Sequence, residues 1–299
     1  MTLAASRLLI PGLLRRRVRT RVRRTQGTVP MYVGIVLLSL IVLLVALVPF
    51  LPGYDPYTQS LADAMLPPFA DAAHPLGTDS LGRDVLSRLA LAGLVSVGIA
   101  VVVVALNFVI GVTIGLIAGY RGGWLDTALG SIADIQLAMP VVILLIALSA
   151  VFGPSTQLMV VTLGLTYWVG YARVARAMAM GLRDRDFVVS PLTQGGSHGR
   201  TVFTHVLPQV LPQMAVIASF DIAVIVGIES SLDYLGLGVQ PPVPSWGAMI
   251  TEGQKYLQIN PMLVILPGLA LFLLVAGMQF LSQRFTTESV SSARKAGRR

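Results

Sequence analysis

The chain is divided by apolar runs of about 20 residues, the length a helix needs to cross the hydrocarbon core of a bilayer. Lipid offers the backbone no hydrogen bonds, so such runs must be helices or the strands of a closed barrel. Continuous runs without a two-residue alternation select helices. Six fit, at about Met31 to Leu51, Leu91 to Gly119, Leu125 to Phe152, Ser155 to Tyr171, Met214 to Leu235 and Pro261 to Leu281. Only 12% of the 299 residues are charged, about half the share usual in soluble domains. The expected fold is an all-α integral membrane protein, one bundle of six transmembrane helices.

Where the charge lies sets the threading. Eight arginines precede the first span (Arg7, Arg15, Arg16, Arg17, Arg19, Arg21, Arg23, Arg24), and Arg284, Arg294, Lys295, Arg298 and Arg299 follow the last. The positive-inside rule places both tails in the cytoplasm, which requires an even number of spans. Six spans then leave nineteen basic residues inside and three outside, Arg83, Arg88 and Lys255. The net charge of +8 is thereby assigned to acidic lipid and not to nucleic acid. The absence of cysteine removes disulfides, thiolate chemistry and sulfur-ligated metals. Val29 to Leu51 is too long for a signal-peptide core and ends without a small-residue cleavage site, so it is read as a retained span.

The chain divides into a basic tail at 1–30, a first span at 31–51, an external segment at 52–90, a five-helix core at 91–285 containing a polar cytoplasmic loop at 173–210, and a basic tail at 286–299. From Asp79 the external segment reads as a short amphipathic helix, because Asp79/Arg83 and Asp84/Arg88 are four apart with the acid first. These pairs are either solvated contacts or an outer gate and docking seat. Gly111, Gly115 and Gly119 form a small-residue stripe that lets two backbones approach in lipid. Met139-Pro140 is expected to kink the third span. Trp246, in the Pro- and Gly-rich loop from Gly236 to Asn260, is expected at the membrane interface.

Several chemistries are absent. No G-x-x-x-x-G-K-[ST] loop occurs, and the two lysines, Lys255 and Lys295, stand in no such motif, so any ATP-driven work belongs to another polypeptide. Neither H-E-x-x-H nor G-x-S-x-G is present. Asp221, Glu229 and Asp233 project within about 120° of one face of the fifth span. An acid at bilayer depth costs at least about 2.5 kcal/mol unless it faces water or a partner, so Asp221, Glu229 and Asp134 are candidates either for a solute path or for structural hydrogen bonds. Arg173 and Arg176 either cap the fourth span by snorkelling or take part in coupling.

From about Pro75 to Phe285 the chain resembles the C-type inner-membrane permease of peptide-type ABC importers, which serve dipeptides, oligopeptides or nickel. The matched blocks run from His74-Pro75-Leu76-Gly77-Thr78-Asp79 to Asp84-Val85-Leu86-Ser87-Arg88, from Ala118-Gly119-Tyr120-Arg121 to Trp124-Leu125-Asp126, and from Ser231-Leu232-Asp233-Tyr234 to Pro244-Ser245-Trp246-Gly247. Gly195 and His205-Val206-Leu207-Pro208 align with the family's EAA loop, a short helix that fits a groove of the ATPase. The acid-small-small triplet of that loop is replaced by Val189-Ser190-Pro191, which implies either a helix starting near Ser190 or a contact resting on Asp184, Asp186 and the arginines.

The resemblance implies a type I ABC importer fold in the bacterial inner membrane, forming half of a translocation path with a homologous B-type permease. It implies one or two P-loop ATPase subunits carrying the ATP and Mg, an extracytoplasmic solute-binding lipoprotein, and no cofactor, metal or enzymatic activity in this chain. Arg183, Asp184, Asp186, Phe187, Ser190, Gly195, His205 and Pro208 are the coupling candidates; Asp79, Arg83, Asp84 and Trp246 are the outer-gate or docking candidates. Small peptides are the expected cargo and nickel or a metal chelate the second. A proton-coupled secondary transporter and a transport-inactive scaffold are readings of other classes.

Overall fold

The computed structural model describes the backbone of residues 28–296 and the side chains of 29–281. Most of the two basic tails, including the side chains of all thirteen basic residues assigned to them, lies outside the described residues. The helices are α1 Thr28–Leu47, α2 Val85–Arg121, α3 Gly123–Leu137, α4 Val141–Phe152, α5 Thr156–Thr166, α6 Trp168–Leu182, α7 Asp186–Thr193, α8 His198–Thr201, α9 Leu207–Tyr234, α10 Trp246–Gly253 and α11 Met262–Ala296; no strand forms among the described residues.

Among the described residues, five helical stretches are long and apolar enough to cross a membrane, or six if α3 and α4 count as one. The packing of α2 decides for six. A Cβ on Gly111, Gly115 or Gly119 would stand 2.3–2.4 Å from the carbonyl oxygens of Trp168, Ala172 and Arg176 in turn, so the glycine stripe lets α2 lie directly on the α6 backbone. The matching order of contacts means that α2 and the α5–α6 span run parallel. The chain between them must therefore return across the bundle, through α3 and α4.

That return is broken. Pro140 has no N–H and crowds the turn before it, and it drives Met139 out of helical conformation; α3 and α4 meet there at 76°. The fourth span does not stop at Tyr171 but continues to Leu182, and the fifth begins at His198 and not at Met214. Ala172, Ala175 and Ala179 explain the first extension, since each is fully buried and two of them lie where the α2 glycines leave room. The expected polar loop at 173–210 is thus mostly helix.

The outer segment also differs from expectation. Residues from Asp79 to Arg83 form a turn and not a helix: Gly82 has φ +71°, and the Ser60 carbonyl lies 1.8 Å from where its Cβ would be. Helix α2 begins only at Val85, with the Asp84 carboxylate accepting from the Ser87 N–H at 2.7 Å, a capping arrangement. One apolar core joins α1, α2, α9, α10 and α11 around Val85, Leu89, Val103, Val226, Trp246 and Leu274. A second lies at the end of the bundle that bears α7, built from Leu116, Tyr171, Ala175, Val188, Val206 and Met214.

Candidate functional site

The α7 end contains a short helix capped at its C-terminus and anchored by a buried side chain. Helix α7 starts at Asp186, four residues before the later start the sequence allowed, and accommodates Pro191 in its second turn. The missing Pro191 N–H forfeits one helical bond, the one to the Phe187 carbonyl. There Gly195 adopts φ +85°, its N–H donates to the Leu192 carbonyl at 3.1 Å, and the Gly196 N–H donates to the Pro191 carbonyl at 2.9 Å. This pair of bonds is a Schellman cap and requires a left-handed residue at its centre, a physical reason for glycine at position 195. Val188 is fully buried and anchors α7 in the second core, while Phe187, at 45% exposure, points away. Asp184, Asp186 and Ser190 are exposed, Arg183 is half-buried beside Asp184, His205 lies in the turn between α8 and α9, and Pro208 lies in the first turn of α9. Val202 to Val206 form a π-helical turn in which the Leu207 N–H donates to the Val202 carbonyl, just before Pro208, which has no N–H to give.

Two ion pairs join α3 to α6, immediately upstream of α7. Arg176 grips Asp126 through Nε and Nη2, and Arg173 Nη2 bonds Asp134 at 2.8 Å. Asp134 is therefore engaged with an arginine at an exposed surface and does not stand alone in a path. Arg176→Asp is expected to destabilise the protein by about 1–3 kcal/mol, as for a charge-assisted pair partly in water. Asp126→Arg combined with Arg176→Asp should recover most of the loss, read as melting temperature in detergent; no recovery would show that the pair does not hold α3.

Asp221 lines a cavity of about 460 Å³ at the α3–α4 break, with Gln136, Met139, Tyr167 and Tyr171. Glu229 is not among the residues that line it. It is fully buried, accepting from Ser96 Oγ at 3.1 Å and Ser230 Oγ at 3.2 Å. Asp233 accepts from the Val239 N–H at 2.6 Å and from Ser245 Oγ, and Ser245 caps α10. Asp233 thereby holds the loop 236–247 onto the bundle, and Ser96, the donor to Glu229, itself accepts from the Trp246 N–H at 3.3 Å. Trp246, expected at the interface, is instead entirely buried, and its indole N–H donates to the Leu89 carbonyl at 3.1 Å.

At the opposite end from α7 the expected i,i+4 pairs are neither helical nor solvated. Asp79 bonds Arg83 Nε at 2.7 Å and lies 3.4 Å from Arg88 Nε, while Glu252 of α10 takes Arg83 Nη2 at 3.2 Å and Arg88 Nη2 at 2.8 Å. Asp84 turns to His74, 3.1 Å away. Asp79, Arg83, Asp84 and Arg88 are all buried, so this ring clamps the outer segment to α2 and α10. Glu252 and Asp126 escaped the sequence reading because nothing local marks a partner 164 or 50 residues away.

Parallel spans packed on a glycine stripe, a broken return span and a capped surface helix between two spans fit the type I ABC importer permease fold that the resemblance implies, and the comparisons with known proteins show that class. The family of binding-protein-dependent transport system inner membrane components matches residues 111–287. The dipeptide transport system permease protein DppC of Alkalihalophilus pseudofirmus is 31% identical over 83% of this chain and 81% of its own length. The nickel transport system permease protein NikC of Escherichia coli is 34% identical over 74% and 79%, and the oligopeptide transport system permease protein OppC of Bacillus subtilis 33% over 79% and 77%. The chain belongs to the C-type inner-membrane permeases of the dipeptide, oligopeptide and nickel ABC importers.

Proposed function

We propose that this permease forms half of the translocation path for small peptides, beside a homologous B-type permease. An extracytoplasmic binding protein delivers the solute, and one or two P-loop ATPases that carry ATP and Mg drive the cycle. Both termini and α7 face the cytoplasm in this reading, in keeping with the distribution of basic residues. The observation that carries it is α7 itself: anchored inward by Val188, capped at Gly195 and exposing Phe187 and Asp186, with Asp184 exposed in the turn before it. A rigid helix joined through a short turn to α6 can convert nucleotide-driven closure into movement of whole spans. Asp221, facing the cavity at the α3–α4 break, is the path residue this arrangement favours for the ammonium end of a peptide. Similarity to NikC keeps nickel as the second reading, separable by comparing labelled dipeptide and labelled nickel uptake.

The test is on Gly195. Nothing lies within 4 Å of a Cβ built there, so Gly195→Val acts through the backbone, at about 1–2 kcal/mol or more for a branched residue held left-handed. The variant is expected to copurify with its ATPase yet lose uptake about tenfold, the factor equivalent to about 1.4 kcal/mol. Normal uptake, or a wild-type chain that copurifies with no ATPase, overturns the assignment.

A further inference from the structure

An apolar slot of about 270 Å³ lies between the last turns of α2 and the π-helical turn before α9, walled by Val112, Leu116, Ile117, Val202, Phe203 and Leu207. At its mouth it meets a second cavity, of about 440 Å³, where Arg121 and Arg183 stand with Asp184 and Leu192. Tyr120, Arg121 and His198 line both, and the Tyr120 hydroxyl is hydrogen-bonded to His198 Nδ1 at 3.1 Å. Arg183 is shared with Asp184; Arg121 is exposed and has no ion pair among the described residues. Nine residues of α2 separate Val112 from Arg121, so the slot reaches about 13 Å from its charged mouth. Trp124, 77% exposed, lies across the Gly122 break in the first turn of α3, close in the chain to Arg121, as an aromatic at the headgroup level does.

An apolar slot opening onto unneutralised guanidinium has the chemistry of an amphiphile with an anionic head. We propose that the slot holds an acyl chain of an anionic phospholipid from the membrane leaflet on the α7 side, with its phosphate against Arg121. The wide π turn makes the room, since it carries Val202 and Phe203 on the wall opposite α2. Assignment of that leaflet as cytoplasmic rests on the orientation proposed above; the site itself does not. The lipid sits behind α7, so it couples the helix that receives the ATPase to the composition of the leaflet.

The whole transporter, reconstituted in phosphatidylcholine nanodiscs with a minor fraction of phosphatidylglycerol, provides the test, with retained lipids counted by native mass spectrometry. The wild type is expected to retain phosphatidylglycerol in preference. Arg121→Gln should lower that preference about fivefold, the effect of one basic residue at an anionic surface, and Val202→Trp, which fills the slot, should lower retention of both lipids. Equal retention of the two lipids by wild type, or unchanged retention in either variant, overturns the site. The chain has no cysteine, so Phe203→Cys gives a single reporter; its cross-linking to the partner permease would show that protein covers the slot and would also overturn it. ATPase copurification from the same samples reports on the transport reading independently.

Discussion

Gly115→Leu is expected to eliminate the folded permease. A Cβ at this position would stand 2.3 Å from the Ala172 carbonyl oxygen and 2.9 Å from the Ala172 Cα. Neither atom belongs to a flexible side chain, so the only relief is for α2 to separate from α6. Alanine should already cost about 1–3 kcal/mol, and leucine more than about 4, because separation also uncovers Ala175 and Ala179. The measurement is the yield of monodisperse protein from membranes by size-exclusion chromatography. Gly98→Leu on the same helix is the control: nothing lies within 4 Å of its Cβ, and its yield should match wild type. A normal yield for Gly115→Leu would mean that α2 and α6 do not touch as described.

The second large effect concerns Arg88, which is 2% exposed. Its removal as Arg88→Ala leaves buried Asp79 and half-buried Glu252 sharing Arg83 alone; because Asp79 keeps a partner and Glu252 reaches water, the loss falls at the low end of the about 3–5 kcal/mol of a buried pair broken from one side. Arg88→Ala with Glu252→Ala should be less damaging than the sum of the single losses, by about 0.5–3 kcal/mol for groups in one network. Unfolding in detergent with graded denaturant reads both quantities. Strict additivity would show that the ring holds nothing together.

What was legible in the sequence was whatever had a local cause. The spans followed from run length, the glycine stripe from its spacing, and the break at Pro140 from the chemistry of proline. The Asp79 to Arg83 helix failed because i,i+4 charge spacing competes with a turn glycine, and Gly82 with the Ser60 carbonyl against it decides for the turn. Trp246 was placed at the interface by its flanking prolines and glycines, yet Gly93 leaves room for its ring: a Cβ there would lie 2.7 Å from Trp246 Cζ2. That contact joins residues 153 positions apart. The buried partners of Glu229 were half visible, since Ser230 is adjacent but Ser96 is on another span. At α7 the departure at Val189-Ser190-Pro191 leaves a helix in place, with Pro191 inside it, and the Schellman cap at Gly195 supplies donors to the Pro191 and Leu192 carbonyls.

The 76° break at Met139–Pro140 has a consequence for assembly. Interrupted backbone at membrane depth is tolerated only against protein or beside water, and α4, at 12 residues, is about 18 Å long, too short to cross hydrocarbon alone. Ile132, Ile135, Ile143 and Ile146 on either side of the break all face outward. A solitary copy in lipid would set that seam against acyl chains that offer it no hydrogen bonds. Gln136, Met139 and Val141 border the Asp221 cavity, so the freed peptide groups of the return span must be met by water in that cavity or by a protein surface laid over it, and the seam is a place where hydration and packing compete.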